Sequence, residues 1–148
     1  MAGTAVAFLA WGVGAGAAPT RASYAAKANA VCRTYNAQLG PLTASLAGMT
    51  SMSKAEQQLG VVILASRRYN RKLEAIPRPP AESAALAKVF KLQGAGITDL
   101  QRAVRSLQAG KVTGVTADLG ADAATLKPVD RQFTALGLTT CAAEPSSS

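Results

Sequence analysis

Residues 53–80 read SKAEQQLGVVILASRRYNRKLEAIPRPP. Apolar side chains recur in this stretch every three or four residues, which is the period of one face of an α-helix. Ser53 and Glu56 have the spacing of a capping box at a helix start, and the Pro-rich segment 77–80 ends the helix. The stretch therefore predicts one amphipathic helix. Its inward face is predicted to carry Leu59, Val62, Ile63, Tyr69, Leu73 and Ile76.

The same period continues on both sides and predicts three more helices, over residues 23–49, 81–109 and 112–136. Because proline lacks the backbone donor and crowds the preceding turn, Pro41 and Pro128 are expected to kink or break their helices. Four helices with short connections predict an all-α, up-down-up-down four-helix bundle. The predicted inward face of the fourth helix consists of Val112, Val115, Leu119, Leu126, Val129, Phe133 and Leu136.

Glycines punctuate the last two predicted helices. Gly110 is predicted to stop the third, and Gly137 to form a left-handed cap at the end of the fourth. Gly94 and Gly96 lie inside the third helix, beside a predicted inward face that runs from Leu86 to Leu107. They mark either a weak point in that helix or a close contact with a neighbouring one.

Composition restricts the chemistry open to the chain. Its 148 residues suffice for one domain with a modest core, and aromatic residues make up only 5% of them. The chain contains no histidine, which excludes Ser-His-Asp and Cys-His nucleophilic sites, zinc held by histidine and haem ligated through histidine. We therefore expect a non-enzymatic protein without cofactor or metal. A serine–lysine hydrolase is the enzyme class that stays formally open.

The N-terminal segment resembles an export signal. Residues 2–18 carry no charge, and Ala15-Gly16-Ala17 has the small-x-small pattern of a signal-peptidase site, although no Lys or Arg precedes the apolar run. We expect residues 1–17 to be a cleaved signal peptide. The alternatives are an uncleaved anchor, for which the run is short, and a buried helix, which its glycines disfavour. Residues 18–143 would form the bundle and residues 144–148 a disordered tail.

The chain has two cysteines, Cys32 and Cys141. In an up-down-up-down bundle, the start of the first helix and the end of the fourth lie at the same end. The segment after Gly137 can therefore fold back so that Cys141 meets Cys32. We expect a disulfide, which would also fit an exported protein; two inert buried thiols are the alternative.

The run 24–32, YAAKANAVC, the closing LGLTTC at 136–141, and the Pro-rich second connection resemble small exported helical proteins common in actinobacteria. The resemblance covers nearly all of the chain after residue 22. It implies an exported helical domain and adds no activity, because that group has none assigned.

Basic residues predict a candidate anion-binding patch. The net charge is +8, with 16 Lys and Arg against 8 Asp and Glu, which favours anionic partners such as envelope polymer or lipid headgroups over any specific nucleic acid. The alternative is that these cations only complement the dipole at the end of their helix. The patch consists of Arg67, Arg68, Arg71, Lys72 and Arg78.

Two further groups of residues are candidates for a site. Tyr35, Ser66 and Gln93 fall on inward faces at similar heights, and they predict either a hydrogen-bonded polar layer or the lining of a small pocket. Asp118 and Asp122 are one turn apart, and we expect them to face water in preference to sharing a cation.

We therefore expect an exported, monomeric binding or structural module at the cell envelope or outside the cell. A carrier of a small apolar ligand, held between the helices, is the alternative.

Overall fold

The computed structural model describes residues 17–47 and 50–142, and every regular element within them is helical. The predicted tail and almost all of the predicted signal or anchor segment lie outside the described residues. Among the described helices, none combines the length and hydropathy needed to cross a bilayer. The elements are α1 (Arg21–Ala47), α2 (Met52–Glu74), a 3-10 turn (Pro80–Glu82), α3 (Ser83–Gln108), α4 (Val112–Ala135) and the short α5 (Thr139–Ala142).

Four long helices pack together, as the periodicity predicts. The most extensive contact joins α3 to α4, followed by α2 with α3 and α1 with α2. Hydrogen bonds connect the last part of α1 to the first part of α2, where Gln58 Nε2 donates to Ser45 Oγ at 2.9 Å. In the same way, Gln108 near the end of α3 donates to Glu56 Oε1 near the start of α2, at 2.7 Å.

The start of α2 differs from the predicted capping box. The N-cap is Ser51, whose Oγ accepts the backbone N–H of Lys54 at 3.4 Å, and Ser53 already lies inside the helix. Glu56 does not turn back onto the helix start, because its carboxylate accepts the Gln108 amide instead. A side-chain oxygen at the N-cap pairs one of the free amides of the first turn, and Ser51 supplies it two residues earlier than predicted.

The two glycine stops are confirmed, whereas neither proline breaks its helix. Gly110 and Gly137 have φ of +68° and +78°, the left-handed conformation that suits glycine. In both caps the next residue reaches back to the last turn: Leu138 N–H, for example, donates to Phe133 O at 2.8 Å. Pro41 and Pro128 lie inside continuous helices, so the missing donor is tolerated at both positions.

The core is concentrated at the end of the bundle that holds the disulfide. Its largest fully buried side chains include Phe133 of α4, Leu73 of α2 and Leu86 of α3. The predicted inward residues that lie in α2 are all buried, whereas Ile76 lies beyond the end of the helix and is half-buried. The prediction for α4 is wrong in its first half, because Val112 is 63% exposed and Leu119 39% exposed.

The predicted disulfide between Cys32 and Cys141 is present, with a Cα–Cα distance of 5.0 Å. The chain after Gly137 folds back onto α1 and forms α5, which carries Cys141. The side-chain amide of Asn29 in α1 holds this folded-back segment with both its nitrogen and its oxygen. Its Nδ2 donates to Gly137 O at 3.2 Å, and its Oδ1 accepts Thr140 N–H at 3.1 Å.

Candidate functional site

A cavity of about 460 Å³ lies between the four long helices. Its lining includes Phe133 and Cys141 at the disulfide end of the bundle, as well as the exposed Leu119 and Ala123. Ligand cavities in proteins are mostly apolar, with a few polar groups that set the orientation of the ligand. Most of this lining is aliphatic, and its larger members include Leu39, Leu46, Leu59, Val62, Ile97, Leu100 and Leu126.

Tyr35, Ser66 and Gln93, predicted as a polar layer or a pocket lining, all line this cavity. Tyr35 Oη and Ser66 Oγ are 2.7 Å apart and hydrogen-bonded. The Tyr35 ring stacks on Tyr69, with 4.1 Å between the ring centroids and 13° between their planes. Gln93 hydrogen-bonds the Tyr69 hydroxyl. The two predictions are thus compatible, because the polar layer is itself part of the cavity wall.

Two oxygens of the cavity-lining residues are buried without a hydrogen-bond partner among the described residues. They are Oε1 of Gln93, a residue only 7% exposed, and Oδ1 of Asp122. Because Gln93 Oε1 is unpaired, the bond from Gln93 to Tyr69 is donated by Nε2. A buried acceptor without a partner costs about 1–3 kcal/mol, so two of them in one wall need an explanation.

The expectation that Asp118 and Asp122 face water is wrong. Asp122 is half-buried, and its Oδ1 would lie 2.7 Å from a Cβ built on Gly96, so this carboxylate packs directly against α3. Burial raises the pKa of Asp122 to about 6, and the nearby negative charge of Asp99 adds to the shift. Asp118 instead accepts a hydrogen bond from Ser106 Oγ at 2.9 Å.

The sequence analysis missed a charged cluster between α3 and α4. Asp99 is 5% exposed, and it pairs with Arg102 and accepts a hydrogen bond from Thr125 Oγ1 at 3.1 Å. Arg102 Nε lies 3.5 Å from Asp118 Oδ1, so one cation serves two carboxylates. A signal for this cluster was present, because Asp99 follows Gln93 and Gly96 at spacings of three on the inward face.

A second concavity, of about 640 Å³, runs along the surface between α1 and α2, and we call it the α1–α2 groove. Arg68 and Lys72, two members of the predicted anion patch, line it. Val61 and Leu64 line it too, and they are 46% and 55% exposed. One groove therefore combines two cations with two exposed apolar side chains.

The other patch residues are divided between two places. Arg67 and Arg71 are exposed on α2 beside the groove, and Arg71 and Lys72 lie in the last turn of α2, where they complement the helix dipole. Arg78 is separate from these residues. It lies in the connection between α2 and α3, and its guanidinium is 4.8 Å from the centre of the Phe90 ring of α3. Within the described residues, none of the four cations from Arg67 to Lys72 forms an ion pair.

The described residues also bear on two other kinds of site, a serine–lysine catalytic site and a metal site. A serine–lysine hydrolase uses a Ser-x-x-Lys spacing, and the chain has this spacing at Ser51 and Lys54. Here it forms the helix cap, because the Ser51 hydroxyl accepts the backbone N–H of Lys54. Within the described residues there is no group of three acidic or cysteine side chains able to hold a metal ion.

No protein-family model matches the chain, and no curated protein sequence and no solved structure matches it.

Proposed function

We propose that this protein is an exported, non-enzymatic, up-down-up-down helical bundle that docks on anionic lipid surfaces through the α1–α2 groove. Hydrogen bonds that join the end of α1 to the start of α2, and the end of α3 to the starts of α2 and α4, support the topology. The disulfide supports export, because such bonds persist mainly in oxidising compartments. The resemblance of the cysteine-flanking runs to exported actinobacterial proteins agrees with it.

The main support for this docking surface is the set of residues that line the groove. Its cations, Arg68 and Lys72, lie towards the C-terminal end of α2, whereas its exposed apolar residues, Val61 and Leu64, lie about one to three turns earlier. A lipid surface offers phosphate groups to the cations and acyl chains to the apolar side chains. A soluble anionic polymer would leave Val61 and Leu64 in water, so the lipid surface is the better match.

Vesicle binding by the secreted form of the protein tests this function, after intact mass has identified its N-terminus. Sedimentation is measured with vesicles of phosphatidylcholine alone and with one quarter phosphatidylglycerol. Reversing both groove cations, Arg68→Glu with Lys72→Glu, is expected to weaken binding to the anionic vesicles at least thirtyfold, because loss of the two cations alone removes about 1 kcal/mol each and the new carboxylates are repelled. The matched control is Lys88→Glu with Lys91→Glu on the exposed side of α3, which changes the net charge equally.

Equal losses in both double variants would mean that only net charge matters, and would contradict the groove. Leu64→Ser separates the possible partners. It is expected to weaken binding to vesicles and to leave retention on an anionic polymer such as heparin unchanged. Binding to heparin that is stronger than binding to vesicles, and unaffected by Leu64→Ser, would favour a polymer as the partner.

The interhelical cavity supports a second candidate function, that of a carrier of a small, largely apolar molecule. The specific observation is a volume of about 460 Å³ bounded by residues of all four long helices. A carrier is expected to copurify with its ligand and to gain thermal stability from it. Native mass spectrometry of the secreted protein, followed by release of the ligand in organic solvent, measures both the presence and the mass of such a compound.

A further inference from the structure

We infer that the interhelical cavity binds a small molecule that carries a protonated amine on an apolar body, with the Asp122 carboxylate as its counter-ion and Gln93 Oε1 as a second acceptor. This inference rests on the carrier function proposed above and specifies its ligand class. It rests on three observations about the cavity wall, namely its unpaired atoms, its charge and its apolar remainder.

The unpaired atoms of the cavity wall would be satisfied by a ligand that carries hydrogen-bond donors. Gln93 Oε1 and Asp122 Oδ1 are both acceptors, and neither has a partner within the described residues. A ligand that brings only acceptors, such as a carboxylate or a phosphate, would leave both of them unpaired and add repulsion. An ammonium group carries three donors and no acceptor, so it complements two acceptors at once.

The charge of the wall selects a cation. The protein has a net charge of +8, yet the described residues that line the cavity include two carboxyl side chains, Asp122 and Asp130, and no Lys or Arg. Arg102 of α3 is held by Asp99 and Asp118 and does not line the cavity. An anion would be attracted to the surface of this protein in preference to its cavity, whereas a cation finds its favourable position inside.

The rest of the wall requires an apolar body. Leu59 of α2 and Leu100 of α3 lie in the lining together with Leu39 of α1 and Leu126 of α4, so every long helix contributes aliphatic surface. Burial of apolar ligand surface against these side chains supplies most of the affinity, and the ion pair supplies the orientation. A volume of about 460 Å³ lies within the range of small-molecule sites.

Three probes with the same chain and different head groups test the ligand class: octylamine, octan-1-ol and octanoate. Each is titrated into the ¹⁵N-labelled secreted protein at pH 7.5, where Asp122 is mostly ionised. Affinities are measured by calorimetry and the site is located by amide shifts. Octylamine is expected to bind at least tenfold more tightly than octan-1-ol and to shift the amides of Gln93, Gly96 and Asp122. Octanoate is expected to leave these amides unshifted.

Asp122→Asn is expected to reduce the affinity for octylamine at least tenfold and to leave octan-1-ol binding unchanged. The matched control is Asp118→Asn, the same substitution one turn away, whose carboxylate contacts Ser106 and Arg102 and does not line the cavity. It is expected to retain the octylamine affinity. Melting temperatures of both variants verify that they are folded.

The outcomes separate the ligand class from the carrier function. If octan-1-ol and octylamine bind equally in the cavity and Asp122→Asn changes neither, the carrier function stands and the amine is wrong. If octanoate binds most tightly there, the charge assignment is overturned. If no probe shifts the cavity amides, both the amine and the carrier function are overturned.

Discussion

The Tyr69 hydroxyl lies 3.2 Å from Cys32 Sγ, inside the bundle. Because that sulfur is bonded to Cys141 and carries no proton, the hydroxyl is the donor. The same hydroxyl accepts from Gln93, and the ring stacks on Tyr35, so Tyr69 connects the disulfide with the wall of the interhelical cavity. Burial raises the pKa of Tyr69 far above its ordinary value, which keeps the hydroxyl protonated and able to donate.

Replacing Tyr69 by Phe is expected to reduce the free energy of unfolding by about 1–3 kcal/mol, because the ring stack remains while Gln93 Nε2 loses its acceptor. Urea denaturation measures the change. The matched control is Tyr24→Phe, since the Tyr24 hydroxyl is buried with no hydrogen-bond partner among the described residues. Removing that hydroxyl is expected to be neutral or stabilising. Equal losses in the two variants would show that the contacts of Tyr69 contribute nothing specific.

Removal of the disulfide is expected to lower the stability of the bundle by about 4–5 kcal/mol in the chain-entropy model, because the bond joins residues 109 apart in sequence. The comparison is between the oxidised protein and the Cys32→Ser, Cys141→Ser variant in urea. A reductant acting on the native chain breaks the same bond, so it should reproduce the loss of stability. A loss below about 1 kcal/mol would contradict the view that the small core depends on this bond.

The pH dependence of stability should carry a signature of Asp122. Its pKa rises from 3.8 to about 6 on folding, so between these values the folded chain holds a proton that the unfolded chain has released. The contribution of this group is therefore most favourable below about pH 4, is lost as the pH rises to about 6, and stays unfavourable above that. Asp122→Asn removes the penalty. Discounted for solvent screening of this half-buried group, the gain is on the order of 1 kcal/mol at pH 7.

Unfolding free energies of the native chain and of Asp122→Asn, measured in steps between pH 4 and pH 7.5, test this dependence. The two curves should meet near pH 4 and separate towards neutral pH, with the variant more stable. Asp118→Asn serves as the contrast, because its carboxylate accepts from Ser106 and Arg102 in the folded state, and its loss should destabilise. A constant offset between the Asp122→Asn and native curves would mean that the carboxyl does not titrate in this range.

How far the sequence predicts this fold depends on the kind of feature. The number of long helices, the Gly110 and Gly137 stops and the inward face of α2 follow from local period and backbone chemistry, and these predictions are confirmed within the described residues. Periodicity identifies the side of a helix that faces inward but not how much neighbouring surface covers it, so Leu119 was predicted to be buried and is exposed. The predicted capping box at Ser53 and Glu56 is wrong for a similar reason. The sequence does not show that Glu56 accepts a hydrogen bond from Gln108 of α3.

The candidate site was predictable in its residue types and not in its arrangement. Tyr35, Ser66 and Gln93 could be placed at one height because the connections between the helices are short. The spacing from Gln93 and Gly96 places Asp99 on the inward face of α3, but its burial was not predicted, since a charged side chain is expected to face water unless a partner is close. Arg102 is three residues further along α3 and could be read from the sequence, whereas Thr125 of α4 comes close to Asp99 only once α3 and α4 are packed together.

Gly94 and Gly96, two residues apart on α3, are expected to respond in opposite directions to the same substitution. A Cβ on Gly96 would lie 2.7 Å from Asp122 Oδ1 and 3.2 Å from Leu126 Cδ2, whereas a Cβ on Gly94 meets nothing within 4 Å. Gly94→Ala should therefore raise the free energy of unfolding by about 0.5–1 kcal/mol, the ordinary gain from replacing glycine inside a helix. Gly96→Ala should lower it by about 1–3 kcal/mol, because α3 and α4 must separate or the carboxylate must move. Thermal and urea denaturation of the two single variants measure both signs, and a gain in stability from Gly96→Ala would show that the helices are not in close contact there.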